Sequence, residues 1–162
     1  MKKLMMFAAM MLMSMGAFAQ EAGQKAVGVT LTDLLDSNSR IALGAKFQYS
    51  FTDNMRGEFD FKFYPTKYDV LVWNPTVNFH YIIPIFDKFN VYPLAGVGVW
   101  GISVKGEHSA TETLFTFKAG AGCEYFITEQ FKGLFEAYYQ IAKKNDYKYS
   151  DPLVSLGVAY CF

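Results

Sequence analysis

Apolar and polar residues alternate one by one along most of this chain. From Val154 to Phe162 the sequence reads Val-Ser-Leu-Gly-Val-Ala-Tyr-Cys-Phe, which puts Val154, Leu156, Val158, Tyr160 and Phe162 on one face and Ser155, Gly157, Ala159 and Cys161 on the other. A period of two is the signature of a strand with one greasy side. The stretch 55–64 is as regular. Met55, Gly57, Phe59, Phe61 and Phe63 oppose Arg56, Glu58, Asp60, Lys62 and Tyr64.

The same pattern predicts strands at about 25–33, 40–51, 55–64, 75–83, 91–104, 114–127, 131–142 and 153–162. Most have the roughly 9–11 residues that a tilted strand needs to cross a bilayer. Residues 52–54, 85–90 and 128–130 read as compact turns. Residues 34–39, 65–74, 105–113 and 143–152 read as longer polar connections. Short and long alternate, as in a barrel with tight turns at one end and loops at the other. The expected fold is therefore all-β, an eight-stranded antiparallel up-and-down transmembrane barrel over residues 20–162. Proline is compatible with this because Pro75 and Pro93 fall at expected strand ends, and Pro65, Pro84 and Pro152 in connections.

Ahead of the first strand, Lys2 and Lys3 precede an apolar run from Leu4 to Met15, followed by Ala17-Phe18-Ala19. That order matches a secretory signal cleaved after residue 19, and the run is too short for a membrane-spanning helix. The chain carries 15 basic and 15 acidic residues, so losing Lys2 and Lys3 leaves a slightly acidic mature chain with no basic face for a nucleic acid.

Alternation does not say which face points outward, since a lipocalin-like soluble barrel has the same period with its apolar side inside. The aromatics decide for apolar-out. They make up 18% of the residues, with 11 Tyr and 16 Phe, and they collect at strand ends. Tyr49, Phe51, Tyr81, Tyr125 and Tyr160 lie by the short turns, and Trp73, Trp100 and Phe115 by the long connections. Such a double girdle is expected where rings sit at headgroup level. Export would expose Cys123 and Cys161 to an oxidising compartment. They fall on non-adjacent strands and opposite faces, so two free thiols are expected.

With its leader, alternating strands, short-long connections and terminal Tyr160-Cys161-Phe162, the chain resembles the small eight-stranded outer-membrane barrels of the OmpA/OmpX type. The resemblance implies residence in the outer membrane of a Gram-negative envelope, among lipid and lipopolysaccharide. It also implies passage through periplasmic chaperones and the barrel-assembly machinery, with Phe162, supported by Tyr160, as the assembly signal. A monomer is expected.

On the inward parity, Lys46, Arg56, Lys62, Lys118 and Lys132 face Glu58, Asp60, Glu124 and Glu136 in near balance. These nine could line a narrow ion path or a small-ligand site. They could equally form a salt-bridged plug, because eight strands enclose little more than their own side chains. Buried charges must be paired, which favours the plug. An enzyme is not expected. His80 sits at the short-turn end, and His108, with Ser109 and Glu112 nearby, lacks the His-x-Ser spacing of the lipid A deacylases. Clustered metal ligands, a phosphate-cradling loop and a nucleophile elbow are missing, so neither cofactor nor metal is expected. The reading is a non-enzymatic barrel with an envelope-structural or surface-interaction role. The alternative is a narrow porin-like channel or small-ligand binder.

Overall fold

A computed structural model describes residues 21–34, 41–65, 70–104, 110–144 and 147–162. The expected leader 1–19 lies outside these residues. The strands are β1 (Lys25–Leu34), β2 (Ile41–Ser50), β3 (Met55–Tyr64), β4 (Val70–Tyr81), β5 (Ile83–Phe86), β6 (Phe89–Val104), β7 (Ala110–Phe126), β8 (Phe131–Lys144) and β9 (Tyr147–Cys161). Every pairing is antiparallel between neighbours in sequence, apart from β1 with β9, which closes the ring, and β4 with β6, which passes over the short β5. Since β5 only continues β4 beyond a break at Ile82, the barrel has eight staves, as the alternation predicts. Asn54 bridges the break, its carbonyl accepting from Ile82 N at 2.7 Å and its side-chain amide donating to Ile82 O at 3.0 Å.

Orientation follows the hydrophobic parity. Phe47, Phe59, Phe61, Val77, Val97, Phe117 and Val158 are exposed on the outer wall, and the polar partners on the alternate positions are buried inside. A wall of this composition suits hydrocarbon, not water. Tyr49, Phe51, Tyr81, Tyr125 and Tyr160 form an outward ring at the short-turn end, and Phe115 is exposed at the other. Trp100 is a correction. It points into the barrel, where it stacks on Tyr64 with ring centroids 5.9 Å apart. Its position on β6 gives it the inward parity of Tyr92 and Leu94.

Strands β4, β6, β7, β8 and β9 are longer than the alternation predicts, and three of the four long connections are shorter. β4 starts at Val70, β7 at Ala110 and β9 at Tyr147, so only residues 35–40, 65–69, 105–109 and 145–146 separate strands at the loop end. Prolines account for two of these differences, because Pro75 and Pro152 lie inside strands and do not end them. At Pro75 the β4–β6 ladder skips from Trp73–Gly101 to Thr76–Gly98. The Asn74 side-chain amide instead donates to Val99 O at 2.8 Å, supplying next to the proline a donor that its ring lacks. Pro152, opposite Tyr139, faces outward and is exposed. The wall is uneven in height, with 10 residues in each of β1 to β3 against 16 in β6 and 17 in β7.

Room for the large inward side chains comes from glycines on the facing strands. A Cβ on Gly122 would lie 2.6 Å from the Tyr92 ring, and one on Gly120 would lie 2.5 Å from Tyr138 Cβ. Pairing large residues with small ones is how a narrow barrel fills without voids. The cysteines are free as expected, Cys161 buried and Cys123 partly exposed.

Candidate functional site

The inward charges form a layered network across the lumen. Strand β3 contributes most because Arg56, Glu58, Asp60 and Lys62 share its inner face, and each is at most 2% exposed. At the short-turn end, Glu124 on β7 accepts from Arg56 Nη1 at 2.6 Å, from Lys132 Nζ on β8 at 3.0 Å and from Asn90 Nδ2 at 3.0 Å. In the next layer, Lys46 on β2 holds two carboxylates, Glu58 at 3.2 Å and Glu136 at 2.6 Å. Gln48 and Asn78 each donate to Glu58 at 2.8 Å, and the Tyr92 hydroxyl donates to Glu136 at 3.2 Å. Higher still, Asp60 pairs with Lys62 and, at 3.5 Å, with Lys118, whose ammonium stands 4.1 Å from the centroid of the Tyr138 ring. Lys118 also lies 4.0 Å from Glu136.

All nine charged residues named from the sequence therefore meet inside the barrel. Five polar partners were not named with them: Gln48, Asn78, Asn90, Tyr92 and the connecting His80. Their signal was present in the alternation, since Asn74, Thr76, Asn78 and His80 all sit on the inner parity of β4. Asp151, which the alternation predicts within a connection, is a further buried carboxylate on β9, 8% exposed. Above the charges, Ala42, Tyr64, Val72, Tyr138 and Leu153 pack with Trp100 and Ile102 as an apolar cap toward the loop end.

His80 lies between the two lower layers. Its ring stacks on Tyr92 at 4.7 Å, and Arg56 reaches its Nδ1 from Nε at 3.2 Å and from Nη2 at 3.0 Å. A guanidinium can only donate, so Nδ1 must present its lone pair, and the proton of the neutral ring sits on Nε2. That nitrogen has no hydrogen-bond partner and faces Glu58 Oε1 at 3.7 Å.

Glu58, His80 and Glu136 bring one ligand atom each within 4.8 Å of one another, a donor set that suits a transition metal. The surroundings do not fit one. Lys46 already occupies both carboxylates, and a protonated Nε2 has no lone pair to give. His108 lies outside the described residues, and His80 is enclosed and 0% exposed.

Tyr160 and Phe162 stand at the short-turn end on the outer face. Tyr160 packs against Phe131 at 5.1 Å and Phe162 at 6.3 Å. The Phe162 backbone exchanges two hydrogen bonds with Lys25, which ties β9 to β1.

The model of the outer membrane protein beta-barrel domain matches residues 5–162. None of the curated proteins matches the sequence. Among solved structures, the N-terminal β-barrel domain of Pseudomonas aeruginosa OprF superposes with a TM-score of 0.69 at 16% identity, covering 88% of this chain and 100% of that one. Neisserial surface protein A gives 0.68 at 14% identity, covering 85% and 95%. Ail, the attachment invasion locus protein of Yersinia pestis, gives 0.54 at 18% identity, covering 87% and 99%.

Proposed function

Because the chain belongs to the outer membrane protein beta-barrel domain family, we propose that it is a non-enzymatic outer-membrane barrel with a closed lumen and an envelope-structural or surface-interaction role. The observation that carries this reading is the filled interior. Arg56, Asp60, Lys62, Asn74 and His80 are all 0% exposed, and their neighbours cross the lumen from β2, β3, β7 and β8. A path for ions would have to break those pairs. Each break strands a charge at a cost of about 3–5 kcal/mol.

Planar-bilayer recording of the refolded protein tests this. The expected trace shows no steady unitary current under conditions where an open porin conducts. Regular steps would instead support the narrow channel.

The surface role rests on the outer wall and the loop end. Ail is named for attachment and invasion, and the neisserial protein is named a surface protein. The connections here are short by comparison with strands of up to 17 residues, so a partner would meet the rims of the tall β6–β9 hairpins more than extended loops. The proposed surroundings are outer-membrane lipid and lipopolysaccharide of a Gram-negative cell, with the barrel acting as a monomer after removal of residues 1–19.

Phe162, with Tyr160, is proposed to be read by the assembly machinery after delivery by periplasmic chaperones. Deleting Phe162 should lower the amount of barrel in the outer membrane of cells far more than it lowers refolding yield in detergent. Equal losses in both would reduce the residue to its ring contacts and its two bonds to Lys25.

A further inference from the structure

His80 stands between two groups of buried charges. On one side, Arg56 and Lys132 share the single carboxylate of Glu124. On the other, Glu58 and Glu136 share the single ammonium of Lys46, with Lys118 4.0 Å beyond Glu136. The neutral ring suits the first side, because its Nδ1 lone pair takes two donors from Arg56. The cationic ring suits the second, because Nε2 lies 3.7 Å from Glu58 Oε1 and has no hydrogen-bond partner.

From this geometry we infer that His80 is an acid-operated latch between the two halves of the lumen network. Proton uptake at Nδ1 converts that atom from acceptor to donor, so it repels the guanidinium that it held. Arg56 then keeps Glu124, while the imidazolium closes on Glu58 beside Lys46. The facing groups that set the balance come from every neighbouring stave: Lys46 from β2, Arg56 and Glu58 from β3, Tyr92 from β6, Glu124 and Lys118 from β7, and Glu136 from β8. Two discrete packings of one ring, selected by a proton, are the elements of a switch. The consequence is a lumen whose internal pairing differs between neutral and acidic surroundings.

Nitrogen NMR of the refolded protein in lipid nanodiscs tests the latch. The sequence holds two histidines, so His108→Gln leaves one imidazole to observe. At neutral pH the spectrum should be that of the Nε2–H tautomer. On acidification both ring nitrogens should become protonated, and the Arg56 Nε and Glu58 carboxyl signals should shift in the same transition. His80→Phe keeps a ring to stack on Tyr92 and should abolish the Arg56 shift while leaving the barrel folded. Three results would each overturn the inference: an Nδ1–H tautomer at neutral pH, a His80 transition that leaves Arg56 and Glu58 unmoved, or no proton uptake down to acid unfolding.

Discussion

Glu124→Gln should cost about 3–5 kcal/mol of stability, the largest loss expected from any single change in the lumen. The carboxylate holds Arg56 at 2.6 Å and Lys132 at 3.0 Å, and all three side chains are at most 1% exposed. Removing its charge takes away the anion that the two buried cations share. Arg56→Met is expected to cost less, because Lys132 still neutralises Glu124 and methionine keeps much of the packing against Tyr92 and His80. The double variant restores the original charge count of the layer. It should therefore be more stable than the sum of the singles by well over the ~0.5 kcal/mol scatter of independent sites. Urea unfolding in lipid measures all three. Strict additivity would mean that the three charges are solvated separately, and would return the water-filled pore to favour.

Phe59→Arg should cost about 2–4 kcal/mol, while Met55→Arg on the same strand and face should cost about 0–1 kcal/mol. Both side chains are exposed on the outer wall, at 48% and 42%. Phe59 lies near the middle of β3, and Met55 beside the short turn. A guanidinium at mid-depth must be drawn out of hydrocarbon, whereas one at the end of the strand reaches the interface. The gradient separates a lipid-facing wall from a water-facing one. Equal small costs at both positions would contradict the orientation, as would nitroxide labels reporting lipid at Asp60 and none at Phe61.

Strand β3 shows why so much of this was readable from the sequence. A period of two leaves a residue only two faces to choose from, so Arg56, Glu58, Asp60 and Lys62 could be placed inside without knowing any contact. Which cation meets which anion could not be read, because the stagger between strands sets it. Lys46 ends on Glu136, ninety residues away in sequence, as well as on Glu58. The prolines misled for a related reason. Pro75 ends a strand by propensity, but here the Asn74 amide supplies a donor beside it. Trp100 was assigned by its residue type to the interface, whereas its parity, shared with Tyr92, places it inside. The alternation places His80 at the short-turn end, but its role as the link between layers depends on where Arg56 comes to rest.

The two hydrogen bonds between Lys25 and Phe162 have a consequence for timing. They join the first residue of β1 to the residue just after β9, so the longest contact in the described barrel is also the one that completes it. Contacts so distant in sequence are slow to form, since the ends must find each other across the whole intervening chain. Until they do, any partly formed sheet has two free edges with open backbone donors and acceptors, and hydrocarbon satisfies neither. A half-finished barrel therefore has no stable place in the bilayer. The eight staves must be gathered before insertion ends, and an early arrest would leave a sticky sheet in place of a smaller barrel.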